Sequence, residues 1–255
     1  MSDLSMGKNP HFIYPDWPAP ENVNAVMTTC HGGVSQVPFN TMNLGAHVGD
    51  VPEDVAQNRM LLKQSLKLPN DPLWLNQVHG TEIANHTKNQ AGDDADAIVS
   101  RKSAEVCSIM TADCLPVLFC TISGDVIAAA HAGWRGLQSG ILEKCVSEMG
   151  CNTDQILVWL GAAIGPSAFE VGDEVREAFL SVYKESAFAF VLKDETKGKW
   201  LADIYQLARV HLGKAGVSSG NIYGGGFCTY SDESRFYSYR REARTGRMAS
   251  LIWLT

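Results

Sequence analysis

The sequence feature that most constrains the fold is the short turn Ile-Ser-Gly-Asp at residues 122–125. The segments on either side, LPVLFC at 115–120 and VIAAAH at 126–131, are apolar runs of strand length. So short a connection joins antiparallel neighbours, because a parallel crossover takes about a dozen residues or more. A second short turn, ARTG at 243–246, predicts a closing hairpin in RFYSYRREARTGRMASLIWL.

Strand and helix patterns alternate along the rest of the chain, which places it in the α/β (α+β) class. Strands are predicted at Val23–Thr28, in PLWLNQVHG and ILVWLGAAIG, and three in succession in EVCSIMTADCLPVLFCTISGDVIAAAHAG. Helices are predicted after the caps Asp50, Asp173 and Asp203, and in LQSGILEKCVSEMG, which Gly150 ends. Since tight hairpins and interleaved helices occur together, the sheets must be mixed.

Composition and charge favour one globular domain and exclude some partners. No linker or repeat interrupts residues 1–255, so we expect a single domain with residues 1–20 as an N-terminal extension. The net charge of -7 argues against nucleic-acid and anionic-membrane surfaces, which need a basic footprint. With no signal peptide or membrane-spanning run, we expect a cytoplasmic location. The seven cysteines form no C-x-x-C pair and are expected to be reduced thiols.

The first turn also predicts which residues face each other across its hairpin. If the loop has two or four residues, Pro116 faces His131, whereas a three-residue loop would break that parity. Side chains alternate with period two along a strand, so Cys114 and His131 point to the same face. Their Cα atoms would then lie roughly 8 Å apart, within reach of a shared ion or proton.

His79, Cys114 and His131 form a candidate zinc site, although singly Cys114 and His131 also fit buried structural residues and His79 fits an ordinary loop histidine. Two imidazoles and a thiolate suit Zn²⁺, and three protein ligands leave a fourth position for water or substrate. The spacings, 35 residues from His79 to Cys114 and 17 from Cys114 to His131, match no compact structural zinc motif. An open site of this kind is catalytic, and Asp113 beside Cys114 is a candidate proton relay.

Positive residues near this group predict an anion site. HAGWRGL at 131–137 turns from strand to helix through two glycines, and N–H groups at a helix start favour phosphate or carboxylate. Arg135 adds a guanidinium there and is a candidate substrate-binding residue. Further arginines are Arg59 on the early helix and, in the closing hairpin, Arg240, Arg241, Arg244 and Arg247. An ordinary β-to-α turn with a surface arginine is the alternative interpretation of HAGWRGL, and solvated surface charge is the default interpretation of each further arginine.

Seven longer motifs carry a family resemblance: NQVHG, MTADCLPVLFC, AAHAGWRGL, GAAIGPSAFEVGDEVREAF, LADIYQLAR, FCTY and FYSYRR…TGRMASLIWL. Together they resemble the laccase-domain family, also called the multicopper polyphenol oxidase or peptidoglycan editing factor family. The likeness is greatest to members from enteric-type proteobacteria, and it extends from about Asn22 to the C-terminus.

The resemblance implies a four-layer α/β/β/α sandwich and a zinc ion held by His79, Cys114 and His131. It implies phosphorolysis of adenosine, guanosine, inosine and methylthioadenosine, with deamination of adenosine. It also implies a role in removing a wrong amino acid from a UDP-muramoyl cell-wall precursor. The chain departs from the family where Cys30 replaces a frequent arginine, so an anion contact from that position is in doubt.

The histidine content decides against a true multicopper laccase. A trinuclear copper centre needs many imidazoles in His-x-His pairs, yet the chain has seven histidines and no such pair. Copper therefore enters only as an adventitious substitute for zinc, because Cu(II) competes well for nitrogen and sulfur ligands.

The leading prediction is a zinc-dependent enzyme whose small-molecule substrates are a purine nucleoside and phosphate. Arg59 or Arg240 would hold phosphate, while Asn43 and Gln77 would hydrogen-bond ribose or base. The H-x-E…P-C-x-x-C signature of zinc deaminases is absent, so adenosine deamination would need a different general acid.

Three alternatives use the same residues or none of them. A metal-independent amidase would take Cys114 as nucleophile and His131 as base. A hydrolase would edit UDP-muramoyl-serine with either chemistry. A binding module would have no catalytic activity and would tolerate Cys114→Ala without loss of ligand affinity.

Overall fold

Strands and helices alternate through residues 9–255, the part of the chain that the computed structural model describes. The strands are β1 Phe12–Ile13, β2 Val23–Thr28, β3 Ile83–Ala84, β4 Ala97–Ser100, β5 Val106–Thr111, β6 Leu115–Thr121, β7 Ile127–Ala132, β8 Ile156–Leu160, β9 Glu170–Gly172, β10 Phe190–Asp194, β11 Lys199–Ala202, β12 Ile222–Gly224 and β13 Met248–Leu254. The helices are α1 Pro52–Leu66, α2 Trp134–Gln138, α3 Ile141–Glu148, α4 Asp173–Val182 and α5 Ile204–Lys214.

The strands of residues 9–255 form three sheets. One is antiparallel, in the order β1-β2-β13-β5. The largest has the order β12-β8-β6-β7-β4-β3, with a parallel pair at each edge and antiparallel pairs between them. The third is a small antiparallel sheet, β10-β11-β9. The prediction of mixed sheets is confirmed for the largest sheet.

The two larger sheets pack face to face, and helices cover their outer faces. Met27, Ile109 and Leu118 belong to the apolar layer between the sheets. On the outer face of the four-stranded sheet, Leu62 of α1 packs in one cluster with Leu251 of β13. Helices α2 to α5 cover the other face of the six-stranded sheet. This arrangement is the four-layer α/β/β/α sandwich that the family resemblance implies.

The hairpin of β6 and β7 has the predicted register, with Pro116 opposite His131. Gly124 closes the turn at a φ of 70°, a conformation that glycine adopts at little cost. Because alternate residues of a strand share a face, Pro116 and His131 point to the same side as Leu118. That side is the layer between the two large sheets, so the hairpin carries His131 to its edge.

The prediction of a closing hairpin around ARTG is wrong. Met248–Leu254 forms β13, but residues 235–247 contain only turns and bends. β13 pairs instead with β2 and β5, strands from distant parts of the chain. Side chains and carbonyls elsewhere hold residues 235–247: the Arg240 backbone N–H donates to Asp113 at 2.6 Å, and Arg241 donates to the Thr229 carbonyl at 2.8 Å.

PLWLNQVHG also differs from its prediction, because it forms no continuous strand. It makes two isolated bridges, Leu73 with Cys107 and Asn76 with Asp94. The Gln77 side chain replaces part of the missing ladder, accepting from the Met110 N–H at 2.8 Å and donating to its carbonyl at 2.7 Å. The segment is thereby held against β5 by a side chain.

Of the three predicted helix caps, Asp203 is confirmed, since its carboxylate accepts from the N–H groups of Tyr205 and Gln206. Asp50 and Asp173 are not caps. Helix α1 follows Val51, whose side chain makes no cap hydrogen bond, and Asp173 is already the first residue of α4. Both carboxylates have other partners, for Asp50 the hydroxyl of Ser35 and for Asp173 the indole N–H of Trp200.

LQSGILEKCVSEMG holds parts of two helices rather than one. Gly140, at a φ of 93°, separates α2 from α3, and α3 ends before Gly150, at a φ of 61°. A left-handed glycine between the two helices breaks the hydrogen-bond ladder that a single helix needs.

The remaining expectations concern the N-terminus, the membrane and the thiols. Residues 1–8 of the predicted N-terminal extension lie outside the described residues, and Phe12–Ile13 within it pairs with β2. No helix in residues 9–255 has both the length and the apolar character needed to cross a bilayer. All seven cysteines are free thiols, as expected.

Candidate metal centre and substrate cavity

His79, Cys114 and His131 converge at one end of the layer between the two large sheets. One nitrogen or sulfur atom from each side chain lies within 4.8 Å of the corresponding atoms of the other two. The Cys114 Sγ atom is 3.7 Å from His79 Nε2, and the two imidazole centroids are 4.7 Å apart. The structure thus brings together all three residues that the sequence predicts as metal ligands.

Different local structures position the three side chains. His131 is the fifth residue of β7, and Cys114 immediately precedes β6. His79 lies in a loop with a φ of 61°, and Asp113, beside Cys114, has a φ of 87°. Residues other than glycine adopt such values at a cost, and they persist where surrounding contacts hold them. Both strained residues are at the site, so the backbone there is held in a specific shape.

Asp96, which the sequence analysis missed, supplies those contacts for the histidines. Its fully buried carboxylate accepts from His131 Nδ1 at 2.8 Å and from the backbone N–H groups of His79 at 2.9 Å and Gly80 at 2.6 Å. A carboxylate on one ring nitrogen fixes the tautomer and orientation of a metal-binding histidine. The bond to Nδ1 leaves Nε2 as the remaining nitrogen of His131.

Gly133 makes room for the group. A Cβ atom built on it would lie 2.6 Å from His79 Cδ2 and 3.1 Å from Cys114 Sγ. No side chain larger than hydrogen therefore fits between the start of α2 and these two residues without displacing one of them. Gly133, the first of the two glycines in AAHAGWRGL, is thus required by its close packing against His79 and Cys114.

The three side chains also shift each other's protonation. Burial disfavours the Cys114 thiolate, but the charge of His131 and hydrogen bonds from His131 and His79 outweigh burial and lower the pKa of Cys114 to about 6. Burial likewise opposes the imidazolium of His131, while Cys114 and Asp96 favour it and raise the pKa of His131 to about 9. Without a metal, the pair is therefore a thiolate beside an imidazolium at neutral pH.

The donor set fits a divalent metal ion. Two imidazoles and one thiolate are the ligand types of borderline metals, and Asp96 provides the outer carboxylate that such histidines usually have. Three ligands from the protein leave further coordination positions facing the adjacent cavity. The residues present could therefore hold a metal ion with room for a reactant.

A cavity of about 560 Å³ opens directly from this group. Its wall includes the three guanidinium groups of Arg135, Arg240 and Arg247 and the aromatic rings of Phe169 and Tyr239. A volume of this size holds a small organic molecule, and the guanidinium groups favour one that carries negative charge.

Four of the other predicted site residues line this cavity: Asp113, Gln77, Arg135 and Arg240. Asp113 is buried and accepts from the Thr229 hydroxyl and the Arg240 N–H, both at 2.6 Å. The Arg135 guanidinium lies 4.4 Å from the ring centroid of Trp134. Arg240 donates to the Glu170 carbonyl at 3.0 Å. These contacts hold the side chains in place at the cavity wall.

Asn43 and Arg59, the other two predicted substrate-binding residues, are not among the residues that line this cavity. Asn43 is fully buried, where it donates to Asp50 at 2.8 Å and accepts from the Arg247 backbone N–H at 2.9 Å. Arg59 donates twice to the Leu44 carbonyl and stacks 4.3 Å from the Trp74 ring centroid. Both residues hold together the loop that precedes α1.

Sequence reasoning missed His47, Thr111 and Tyr239 as cavity residues and treated Arg247 as surface charge. Burial, with the charges of Arg247 and Arg59, lowers the pKa of His47. Thr111 was inside the quoted motif MTADCLPVLFC, three residues before Cys114, which is the one signal that pointed to it. His47 and Tyr239 lie in loops with no periodic pattern to place them.

The chain belongs to the family described as multi-copper polyphenol oxidoreductase laccase, whose model matches residues 24–255. A relative from Pseudomonas aeruginosa, named purine nucleoside phosphorylase, is 54% identical over 95% of this chain and 98% of its own length. A relative from Escherichia coli strain K12, also named purine nucleoside phosphorylase, is 52% identical with the same two coverages.

Solved structures show the same fold. A Neisseria meningitidis protein, 47% identical, superposes with a TM-score of 0.91 over 96% of this chain and 99% of that one. A hypothetical protein from Bacillus licheniformis, 29% identical, also has a TM-score of 0.91, over 97% and 98%. Neither of these descriptions states an activity.

Proposed function

We propose that this protein is a zinc-dependent purine nucleoside phosphorylase acting on adenosine, guanosine, inosine and methylthioadenosine. The observation that carries the proposal is the group of His79, Cys114 and His131 opening into a cavity with three guanidinium groups in its wall. The names of the relatives from Pseudomonas aeruginosa and Escherichia coli support the same activity.

Zinc is the metal we assign to the group, with copper as an adventitious substitute. When bound, it would supply a Lewis acid that polarises a substrate oxygen or lowers the pKa of water. The chain's own contribution is to present two imidazoles and a thiolate, with Asp96 fixing the ring of His131 at 2.8 Å.

Phosphorolysis requires binding and orientation of two reactants. A phosphate oxygen forms a bond to C1′ of the ribose, while the C1′–N9 bond breaks and its electron pair leaves with the purine, which takes up a proton. Arg135, Arg240 and Arg247 would neutralise the phosphate, and the rings of Phe169 and Tyr239 give apolar surface for the purine. Alignment of this kind contributes several kcal/mol to catalysis.

We assign Asp113 to positioning rather than to proton relay. Both of its carboxylate oxygens accept short hydrogen bonds, one from Thr229 and one from the Arg240 backbone. Because Asp113 directly precedes Cys114, these two hydrogen bonds hold Thr229 and the Arg240 backbone close to Cys114. Its buried position, with 9% of its surface exposed, also separates it from bulk water.

Deamination of adenosine belongs to the proposal as a second reaction of the same cavity. Water would replace phosphate as the reactant: its oxygen bonds to C6 of the purine and ammonia leaves. The product, inosine, is itself a substrate for phosphorolysis, so the two reactions can follow one another on one nucleoside.

The test is product analysis on metal-analysed protein. We expect zinc-loaded protein to convert inosine and phosphate to hypoxanthine and ribose 1-phosphate, and adenosine without phosphate to inosine. Omitting phosphate should stop release of the base. Base release that is equal with and without phosphate would contradict phosphorolysis, and an absence of inosine would remove deamination from the proposal.

A second candidate function is a metal-independent cysteine amidase, and one observation favours it. Cys114, His131 and Asp96 form a chain of thiolate, imidazole and carboxylate, with the last contact at 2.8 Å, as nucleophile–base–orienting groups do in hydrolases. The amide substrate would be the muramoyl precursor UDP-muramoyl-serine. Zinc removal separates the two functions: the amidase would keep its turnover in chelator and lose it on alkylation, whereas the phosphorylase would lose activity in chelator and regain it with zinc.

A further inference from the structure

Thr111 places a buried hydroxyl without a partner in the wall of the cavity. It is 2% exposed and lines the cavity, and within residues 9–255 its Oγ1 atom makes no hydrogen bond. Buried polar groups are nearly always hydrogen-bonded, since an unpaired one is costly. A free hydroxyl on a cavity wall therefore indicates a partner that arrives with the ligand.

The strand pairing puts the backbone of Arg247 close to that of Thr111. Thr111 is the last residue of β5 and lies opposite Met248, the first residue of β13, and Arg247 directly precedes Met248. In the alternation of β5, Thr111 shares a face with Ile109, which points into the layer between the sheets. Both residues line the same cavity, and Arg247 lies close enough to Cys114 and Asp113 for their charges to act against the lowering of its pKa by burial.

Arg247 is held in place but not neutralised by a carboxylate. Its Nη1 atom donates to the carbonyls of Thr245 and Gly246, both at 3.0 Å, and its side-chain hydrogen bonds within the described residues use Nη1 alone. The nearby Asp113 carboxylate already accepts from Thr229 and from the Arg240 backbone. A guanidinium fixed in this way presents its remaining N–H groups to an anion.

We infer that Thr111 and Arg247 form the subsite that binds inorganic phosphate, an inference that rests on the proposed phosphorylase function. A tetrahedral oxyanion accepts from the hydroxyl and from the guanidinium together, and its charge matches Arg247. A ribose hydroxyl would satisfy Thr111 but leave the guanidinium without a counter-charge. The phosphate therefore lies beside Cys114, and not at Arg59, which is not among the residues that line the cavity.

The experiment compares Thr111→Val, which keeps the shape and removes the hydroxyl, with Thr111→Ser, which retains it. Ser250→Ala is the matched control, because Ser250 on β13 also has a buried hydroxyl without a partner but does not line the cavity. Phosphate binding to zinc-loaded protein is measured by calorimetry, and KM is measured separately for phosphate and for inosine. A melting curve for each variant checks that it folds, and Arg247→Lys provides a second variant at the subsite.

We expect Thr111→Val to weaken phosphate binding by about tenfold or more, since a hydrogen bond to a charged group is lost. The KM for inosine should stay within about twofold, and Thr111→Ser and Ser250→Ala should bind phosphate as the unmodified protein does. Arg247→Lys should weaken phosphate binding because a point charge replaces a planar fork.

Two results would overturn the inference: unchanged phosphate binding in Thr111→Val, or a rise in the KM for inosine alone, which would assign the hydroxyl to ribose. The outcome is separable from that of the proposed function. If the protein cleaves no nucleoside but loses phosphate binding on Thr111→Val, the subsite stands and the phosphorylase proposal fails. If it cleaves inosine with an unchanged KM for phosphate in both subsite variants, the phosphorylase stands and the subsite fails.

Discussion

Two cysteines at opposite ends of β6 experience opposite environments. Cys114 precedes the strand and Cys120 is its sixth residue, so the alternation of side chains assigns both to the face between the two large sheets. Cys120 is fully buried in the apolar layer, and burial raises its pKa to about 12. Burial also disfavours the thiolate of Cys114, yet the pKa of this thiol is lowered to about 6.

The difference teaches that position in the sandwich does not create the reactive thiol. Both cysteines are removed from water, and desolvation disfavours the thiolate at each. What distinguishes Cys114 is its histidine neighbours, of which His131 is in turn held by Asp96. The end of the layer that holds Cys114 is therefore a candidate metal site because His79, His131 and Asp96 surround the thiol there with polar groups.

The largest effect is expected from removing the thiolate. Cys114→Ala should abolish tight zinc binding and turnover, because it deletes the one sulfur ligand of the group. Cys120→Ala should retain both and lose about 1 kcal/mol of stability, since it removes only a small buried side chain. Metal analysis, turnover and chemical unfolding of the two variants check this, and zinc retained at full occupancy in Cys114→Ala would contradict the assignment.

Alkylation should separate the two thiols without mutation. In metal-free protein at pH 7, we expect iodoacetamide to modify Cys114 more than about a hundredfold faster than Cys120, because thiolate fraction governs the rate. The rate at Cys114 should rise with pH around a midpoint of about 6 and then level off. Zinc should protect Cys114, and peptide mass spectrometry identifies the site. Equal rates at the two cysteines would contradict the contrast.

The same pair predicts how the stability of metal-free protein depends on pH. The pKa of Cys114 is lower in the folded state, so its contribution is complete above about 9 and is lost as the pH falls through about 6. The pKa of His131 is higher in the folded state, so its contribution is complete below about 6.5 and is lost as the pH rises through about 9. Between about pH 6.5 and 9 the two slopes are equal and opposite, because the folded and the unfolded pair each bind one proton, so their summed contribution should be nearly constant. Chemical unfolding of the metal-free protein at several pH values checks this, and a change of about 1 kcal/mol or more per pH unit across that range that Cys114→Ala removes would contradict the thiolate–imidazolium pair.

A smaller effect is expected at Asp96, which contacts no ligand of the cavity but orients His131. Asp96→Asn should weaken zinc affinity by about 10–100-fold, the usual range for such outer carboxylates. It should also cost about 1–3 kcal/mol, since the amide has one accepting oxygen and cannot replace both Oδ1, which accepts from the His131 ring and the His79 N–H, and Oδ2, which accepts from the Gly80 N–H. Asp125→Asn is the control, because Asp125 also accepts two side-chain hydrogen bonds but lies in the turn at the far end of β6.

The sequence predicted the metal group because local rules were sufficient to place it. Period-two alternation and a short turn set the register of Pro116 against His131 and therefore the shared face of Cys114. His79 was proposed as the third ligand from its place at the end of PLWLNQVHG, and the resemblance to the family supplied the four layers. None of these steps needed to know how distant segments pack.

The rest of the site depends on packing between distant segments, which local patterns do not encode. Asp96 approaches His131 through the pairing of β4 with β7, and Arg247 approaches Thr111 because β13 pairs with β5 and not with its own predecessor. Because the sequence predicted a C-terminal hairpin, it did not predict that Arg247 lies close to Thr111. The contacts of Arg59 were not predicted for a related reason: its helix was recognised, but the packing of its side chain against Leu44 and Trp74 was not.

The smallest effect tests how tightly the mouth of the layer is packed around its polar network. Gly133 has a φ of -62° and a ψ of 155°, so alanine meets no backbone strain there and only its Cβ atom matters. That atom would lie 2.6 Å from His79, and overpacking of this kind costs about 1–3 kcal/mol, which should reduce zinc affinity by roughly tenfold.

Gly213 in α5 is the matched control, because a Cβ atom there meets nothing within 4 Å. Gly213→Ala should leave zinc affinity unchanged and raise stability by about 0.5–1 kcal/mol. Zinc titration and thermal melting of both variants decide the matter: equal zinc affinities would mean that the site has slack, and that the contrast between the two ends of β6 comes from charge alone and not from close packing.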